Sequence, residues 1–188
     1  VKRDYQIRIN SDSGIEQSLV FPKAKYVNTL TLEGVGEGTL LRCNGKVALT
    51  SSVILKNLSL ENKEAYTLSL GNFNLTIEEN VNFLTKVSIT GDKKGSLVVS
   101  EAGVLSNVKS LNVAEVTNAG EITADTIKIT NAYLNNGHLY AKGTIQIANL
   151  TLEGKAFVQA EKDFKVTGKL HSATEDAVFY TRKNAKGA

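Results

Sequence analysis

The chain of 188 residues has no tryptophan and no methionine, one proline (Pro22), one cysteine (Cys43) and two histidines (His138 and His171). Each shortage excludes something. A lone thiol forms no internal disulfide, and one Cys with two distant His offers none of the paired spacings of a zinc site. Arginine is equally scarce. Of 22 basic residues only Arg3, Arg8, Arg42 and Arg182 carry the guanidinium fork that reads phosphate and base edges, and 19 acidic residues leave a net charge of only +3. That balance gives neither the field nor the donors for nucleic acid, so no nucleic-acid partner is expected. No apolar run approaches the roughly eighteen residues a membrane span needs, which excludes a transmembrane helix. The glycine-rich stretch Gly34-Val35-Gly36-Glu37-Gly38 satisfies neither the dinucleotide fingerprint nor the phosphate loop, and Gly45-Lys46-Val47 lacks the closing Ser or Thr. Calcium-binding repeats rich in Gly and Asp are missing too, so no metal and no cofactor is expected.

What is there is Leu, Val and Ile, set among Thr, Ser and Asn: residues that suit half-buried strands and their turns. Apolar-x-apolar triplets recur at Leu30-Thr31-Leu32, Leu58-Ser59-Leu60, Val87-Ser88-Ile89, Leu111-Asn112-Val113, Ile127-Lys128-Ile129, Ile145-Gln146-Ile147 and Phe164-Lys165-Val166. Subtracting first positions gives intervals of 28, 29, 24, 16, 18 and 19. Strict alternation within each triplet argues strand, with the flanking residues inside and the middle one outside. A second ladder, Gly103, Gly120, Gly137 and Gly154, repeats every 17 residues and is expected to supply positive-φ corners. Uneven repetition of one supersecondary unit is the mark of a solenoid.

The fold class this predicts is all-β: a right-handed parallel β-helix with irregular coils. Residues 1–29 are expected to form an N-terminal cap, with Tyr5–Ile9, Ile15–Phe21 and Pro22 hiding the open edge of the core. Residues 30–181 form the solenoid. Residues 182–188 read as a polar tail or linker. The rival fold is a leucine-rich repeat, because the frame L-x-x-L-x-L occurs at Leu55–Leu60 and, with Val or Ile, at Val27–Leu32, Leu84–Ile89 and Ile147–Leu152. The segments between alternate like strands, as in Tyr66-Thr67-Leu68-Ser69-Leu70, where that repeat needs a different convex side.

Candidate chemistry is sparse. Cys43 shares a strand face with Leu41 and reads as a buried small hydrophobe. The carboxylates Glu78-Glu79, Glu115, Glu121 with Asp125, Glu161 with Asp163, and Glu175-Asp176 are the candidates for a general acid and base. Aligning Ile127, Ile145 and Phe164 stacks Ala124, Lys142 and Glu161 in one column and Asp125, Gly143 and Lys162 in the next, so carboxylates face lysines. The sequons at Asn57, Asn74 and Asn149 read as turn asparagines. Tyr133 and Tyr140 flank the turn Asn135-Asn136-Gly137-His138 and form the only local aromatic cluster; Tyr133, Tyr140 and His138 are the candidate ligand contacts. No catalytic residue is assigned.

The triplets, the glycine ladder and the identical pentapeptides at Leu30–Gly34 and Leu150–Gly154 resemble the β-helical repeat modules of bacterial cell-surface and secreted proteins, adhesin-like stalks among them, over Tyr26–Tyr180. That resemblance implies an extracellular or cell-surface location and a rigid, non-catalytic scaffold that displays or recognises a ligand, with a glycan or a host or cell-surface protein as partner. The first residue is no initiator, so the chain is expected to be part of a larger polypeptide. The alternative implied by fold likeness is a polysaccharide lyase or hydrolase of the pectate-lyase-like β-helix type. End-to-end assembly into filaments is a third expectation.

Overall fold

A computed structural model describes residues 1–10, 25–36, 38–182 and 184–186, the last three by backbone alone. The segment Ile15–Phe21 and Pro22, assigned to the cap from sequence, lies outside the described residues. Among those described there are twenty strands and no helix, hence none long and apolar enough to cross a membrane. All named strand pairings are parallel. They stack as a β-solenoid of about eight turns. At roughly 4.8 Å per rung the rod is about 40 Å long.

Each turn contributes to three hydrogen-bonded ladders. The first runs through Arg3–Ile9, Val27–Gly34, Ser52–Lys56, Asn74–Ile77 and Ser96–Val99, then through the long strands Val104–Asn118, Glu121–Asn135 and Ile145–Leu152, to Leu170–Ser172. The second begins with Leu40–Cys43, Ser59–Asn62 and Asn82–Phe83, and resumes through Val104 and Glu121 to His138–Ala141, Phe157–Ala160 and Val178–Thr181. The third joins Val47–Ala48, Tyr66–Gly71 and Val87–Gly91 to the middle of the long strands, then Asp163–Val166 and Asn184–Lys186. Val104–Asn118 and Glu121–Asn135 therefore wrap through all three faces, and Ile145–Leu152 through the third and the first. Their register slips between Leu105 and Val108 and between Val113 and Glu115, which is where a bulge bends the chain round a corner.

Inward residues stack as columns along each face, and one of them runs unbroken along the third. On the third it reads Val47, Leu68, Ile89, Leu111, Ile127, Ile145 and Phe164, all buried and in printed register. Each large aliphatic side chain there contributes about 1.5–3 kcal/mol by leaving water. The predicted stacking of Ile127, Ile145 and Phe164 is thus observed. The first two triplets belong elsewhere: Leu30–Leu32 lies on the first face and Leu58–Leu60 turns onto the second. The long early intervals read from sequence therefore spanned different faces, and the coil step between Leu30, Val53 and Leu75 is 23 and then 22 residues.

The leucine-rich frame has the same explanation. In Leu55-Lys56-Asn57-Leu58-Ser59-Leu60 the alternation breaks once, at Asn57, whose φ of 50° resets the side-chain direction at a corner; Asn80, one coil on, has φ 54°. Asparagine tolerates that left-handed conformation better than most residues. The same spacing that reads as a leucine-rich repeat is a strand, a corner and a second strand.

The glycine ladder is real but serves closeness more than conformation. Only Gly154 has a positive φ, of 54°. A Cβ on Gly120 would sit 2.1 Å from the carbonyl oxygen of Gly103, and one on Gly137 2.1 Å from that of Gly120. Those carbonyls accept the N–H groups of Glu121 and His138, so the coils touch backbone to backbone at this corner.

One predicted detail shifts. Ala124 aligns with Ala141 and Ala160, not with Lys142 and Glu161, because the next corner holds two residues before Ile127 but three before Ile145 and Phe164. At the rod's start, strand Arg3–Ile9 stacks as a further rung on Val27–Gly34, with Tyr5 over Leu30 and Ile7 over Leu32. At the other end Arg182 pairs with Glu161 at 2.9 Å, and Asn184–Lys186 adds a strand beside Asp163–Val166.

Gly137→Ala is expected to lower stability to urea by about 3 kcal/mol or more, since backbone, not a mobile side chain, meets the new methyl. Gly36→Ala, with nothing within 4 Å of its Cβ, is expected to change it by less than about 1 kcal/mol.

Candidate functional site

The turn Asn135–His138 separates the three candidate contacts. Alternation points Tyr133 into the core of the first face, where it is 1% exposed, while His138 and Tyr140 project outward from the second. Tyr133 therefore packs inside, and a corner lies between it and Tyr140, so of the three candidate contacts His138 and Tyr140 share an outer surface and Tyr133 does not. The Tyr133 hydroxyl donates to Asn135 Oδ1 at 2.8 Å and accepts from Asn118 Nδ2 at 3.3 Å. Asn118 and Asn135 are partners in adjacent coils, joined by a 2.9 Å bond from Asn118 Nδ2 to Asn135 Oδ1. Nδ2 of Asn118 also donates to the His138 carbonyl at 3.0 Å. This buried cluster replaces aliphatic side chains in the column that runs from Val99 to Leu152 and ties one corner together. Burial pushes the Tyr133 phenol far above its ordinary value, so it stays neutral.

On the outer side of the second face, two rows run along the rod. One is Glu121, His138, Phe157 and Val178; the other is Thr123, Tyr140, Gln159 and Tyr180. The His138 and Phe157 rings lie 5.6 Å apart, tilted by 50°. Tyr180 is 49% and Val178 50% exposed, large values for such side chains. Gln159 sits on the rung between the two tyrosines, its Nε2 donating to Glu161 at 2.8 Å, and Glu161 in turn holds Arg182. The result is an aromatic strip across three rungs with an oriented amide at its centre. Phe157 and Tyr180 were missed from sequence. The coil step of 19 to 21 residues between His138, Phe157 and Val178 carries the signal, once the face is known.

A second feature is a recess of about 490 Å³ where the first face turns into the second, lined by Gly34, Gly36, Thr39, Asn57, Ser59 and Asn80. Asn80 Nδ2 donates to Asn57 Oδ1 at 2.9 Å, and the Thr39 hydroxyl donates to the Gly36 carbonyl, so the lining is amide and hydroxyl held in place by itself.

Of the candidate carboxylates, Glu78, Glu79, Glu115, Asp125 and Glu161 are engaged with cations or amides. Lys56 lies 3.6 Å from Glu78 and 3.1 Å from Glu79, which holds the Glu79 carboxyl below its usual range and the Lys56 ammonium above its own. Asp125 pairs with Lys86, and Glu115 accepts from Asn131 at 2.7 Å. Among the described residues no group of three or more His, Cys, Asp and Glu is gathered to hold a metal ion. Cys43 is buried, as its alternation with Leu41 predicted, and burial raises its thiol from 9.0 to about 11.

Two outcomes follow from these burials. Tyr133→Phe is expected to cost about 1–2 kcal/mol in urea unfolding, because it removes a donor from Asn135 inside the core. Cys43 is expected to resist a thiol reagent at neutral pH until the chain unfolds. Since the folded state favours the neutral thiol, this group's stabilising contribution is complete below 9.0 and fades as pH rises toward about 11, which unfolding curves across that window would register. No family model matches the chain, nor does any curated protein or solved structure, so the functional reading rests on the geometry of these faces.

Proposed function

We propose that this chain is a rigid, non-catalytic binding scaffold that works outside the cell, as part of a larger surface or secreted polypeptide, and that it recognises a glycan through the outer side of its second face. The observation that carries the reading is the aromatic strip of His138, Phe157, Tyr140 and Tyr180 on the outer side of the second face, with the exposed Val178 beside it. Pyranose rings present an apolar face of C–H groups and a rim of hydroxyls. Aromatic rings stack on the first, and an amide such as Gln159 hydrogen-bonds the second. A solenoid suits the task because a side chain on one rung is held at a set distance from the next by the backbone ladder, so the surface pays little ordering entropy on binding.

The ligand stays on the outside of the rod, since the interior is filled with stacked aliphatic side chains. Tyr140 and Tyr180 stand two rungs apart, about 9.6 Å, with Gln159 between them. A short run of sugars lying along the rod axis would meet one ring, the amide and the second ring in order.

Screening the folded chain against immobilised glycans and cell-surface proteins tests the proposal. Binding of one glycan class is expected, weakened about tenfold by Tyr140→Ala and by Tyr180→Ala, or about 1.4 kcal/mol each, with an unchanged circular dichroism spectrum. Silence on every glycan would overturn it. Turnover of any polysaccharide would replace it with the lyase or hydrolase reading.

A further inference from the structure

The outer side of the first face carries a pattern that the sequence order conceals. Following the printed register from rung to rung, the central outward position reads Thr31, Ile54, Thr76, Val98, Thr117, Leu134 and Thr151. Hydroxyl and aliphatic alternate without exception over seven rungs. Nothing in the packing of the core demands this, because all seven side chains point away from it. Ile54, Val98 and Leu134 are only half-buried, although an outward position on a lone sheet could as readily hold a charge.

The four threonine hydroxyls are also unspent. Thr39, Thr85, Thr130, Thr174 and Thr181 all use their Oγ1 atoms within the protein, but those of Thr31, Thr76, Thr117 and Thr151 have no hydrogen-bond partner among the described residues. The neighbouring row, by contrast, is held to itself: the Ser52 hydroxyl accepts from the Asn74 N–H, the Ser96 hydroxyl donates to Asn74 Oδ1 at 2.7 Å, and Asn149 donates to the Asn131 carbonyl. The face is therefore a strip whose flanking row is held by its own hydrogen bonds. Its central line offers one free hydroxyl every two rungs, about 9.6 Å apart, with a methyl-rich side chain midway between.

Charge narrows the partner. The central row is uncharged from Thr31 to Thr151, and in the neighbouring row Thr29, Ser52, Asn74, Ser96, Glu115, Ala132 and Asn149 include one charge, already bonded to Asn131. The far edge holds Glu33, Lys56 and Glu78, paired with Arg8 or with one another, and one further carboxylate, the exposed Glu153, beyond Thr151 at the end of the strip. Area narrows it further. The strip measures about 30 Å by 13 Å, or about 400 Å², half the roughly 800 Å² per partner of a stable protein interface, so a second copy of the chain is a poor occupant. A thin, extended and uncharged polymer fits both limits.

We infer that the first face binds an extended neutral polysaccharide lying along the rod, with alternate sugars over the threonine hydroxyls and those between over Ile54, Val98 and Leu134. A β-linked glucan or N-acetylglucosamine polymer has the required two-sugar repeat, hydroxyl edges and apolar ring faces. The surface is separate from the aromatic strip, and this proposal stands or falls without it.

Co-sedimentation of the folded chain with cellulose and with chitin particles provides the test. Depletion onto at least one polymer is expected. The double variant Thr76→Lys/Thr117→Lys is expected to weaken it about tenfold or more, because two ammonium groups are desolvated against an uncharged chain. The near-isosteric Thr76→Val/Thr117→Val isolates the hydroxyls and is expected to give a smaller loss, and Lys128→Glu on the third face none. All these positions point outward, and an unchanged circular dichroism spectrum and urea midpoint would establish that each variant is folded. Absence of wild-type depletion on both polymers overturns the inference, as does equal binding by the lysine double variant. Glycan capture that depends on Tyr140 alone would leave the aromatic-strip reading standing and sink this one.

Discussion

Everything in this molecule depends on a coil being unable to bury its own apolar side. One turn of the chain is a flat loop whose inward leucines, valines and isoleucines meet only each other's edges. They leave water when a second turn settles on top, about 4.8 Å away, and the same step joins the backbone N–H and C=O groups of the two turns. Burial and hydrogen bonding are thus obtained together or not at all. The column from Val47 to Phe164 shows the consequence: each member between its two ends is buried by the member above and the member below.

That demand falls hardest on the corners. A strand can be any length that keeps inward and outward sides in step, but a corner must return the chain to the same column one rung higher. The protein manages this with asparagine in the left-handed conformation at Asn57 and Asn80, with bulges inside the long strands, and with glycines that let one coil's backbone rest on the next. Where the column passes a corner deep in the core, Asn118, Asn135 and Tyr133 bond to one another and to nearby backbone, so a polar cluster sits in an aliphatic interior with most of its groups satisfied.

Because the inside is spent on stacking, what the protein presents to others is written on three outer faces, each a set of rows one rung apart. The faces differ in chemistry. The first carries an uncharged central row from Thr31 to Thr151; the second gathers His138, Phe157, Tyr140 and Tyr180; the third carries Lys128 and Lys165 in one row. A rod of this kind can hold distinct ligands on distinct sides without any of them reaching the core.

The sequence by itself determined that the chain is β, that it repeats, and which residues point inward, because alternation within a strand is a local property of the pleat. It was enough to place Ile127, Ile145 and Phe164 in one column and Cys43 in the interior. It did not determine which strand lies over which, since that depends on how many residues each corner consumes. Leu30 and Leu58 looked like successive floors and are on different faces, and Lys142 slipped one place from Ala124 for the same reason. Only the tertiary structure decided the surfaces. Tyr133 and Tyr140 are seven residues apart yet face opposite sides of the wall, whereas Thr31 and Thr151 share a line although most of the chain separates them, because an outer row is assembled from one residue per turn and no single stretch of sequence contains it.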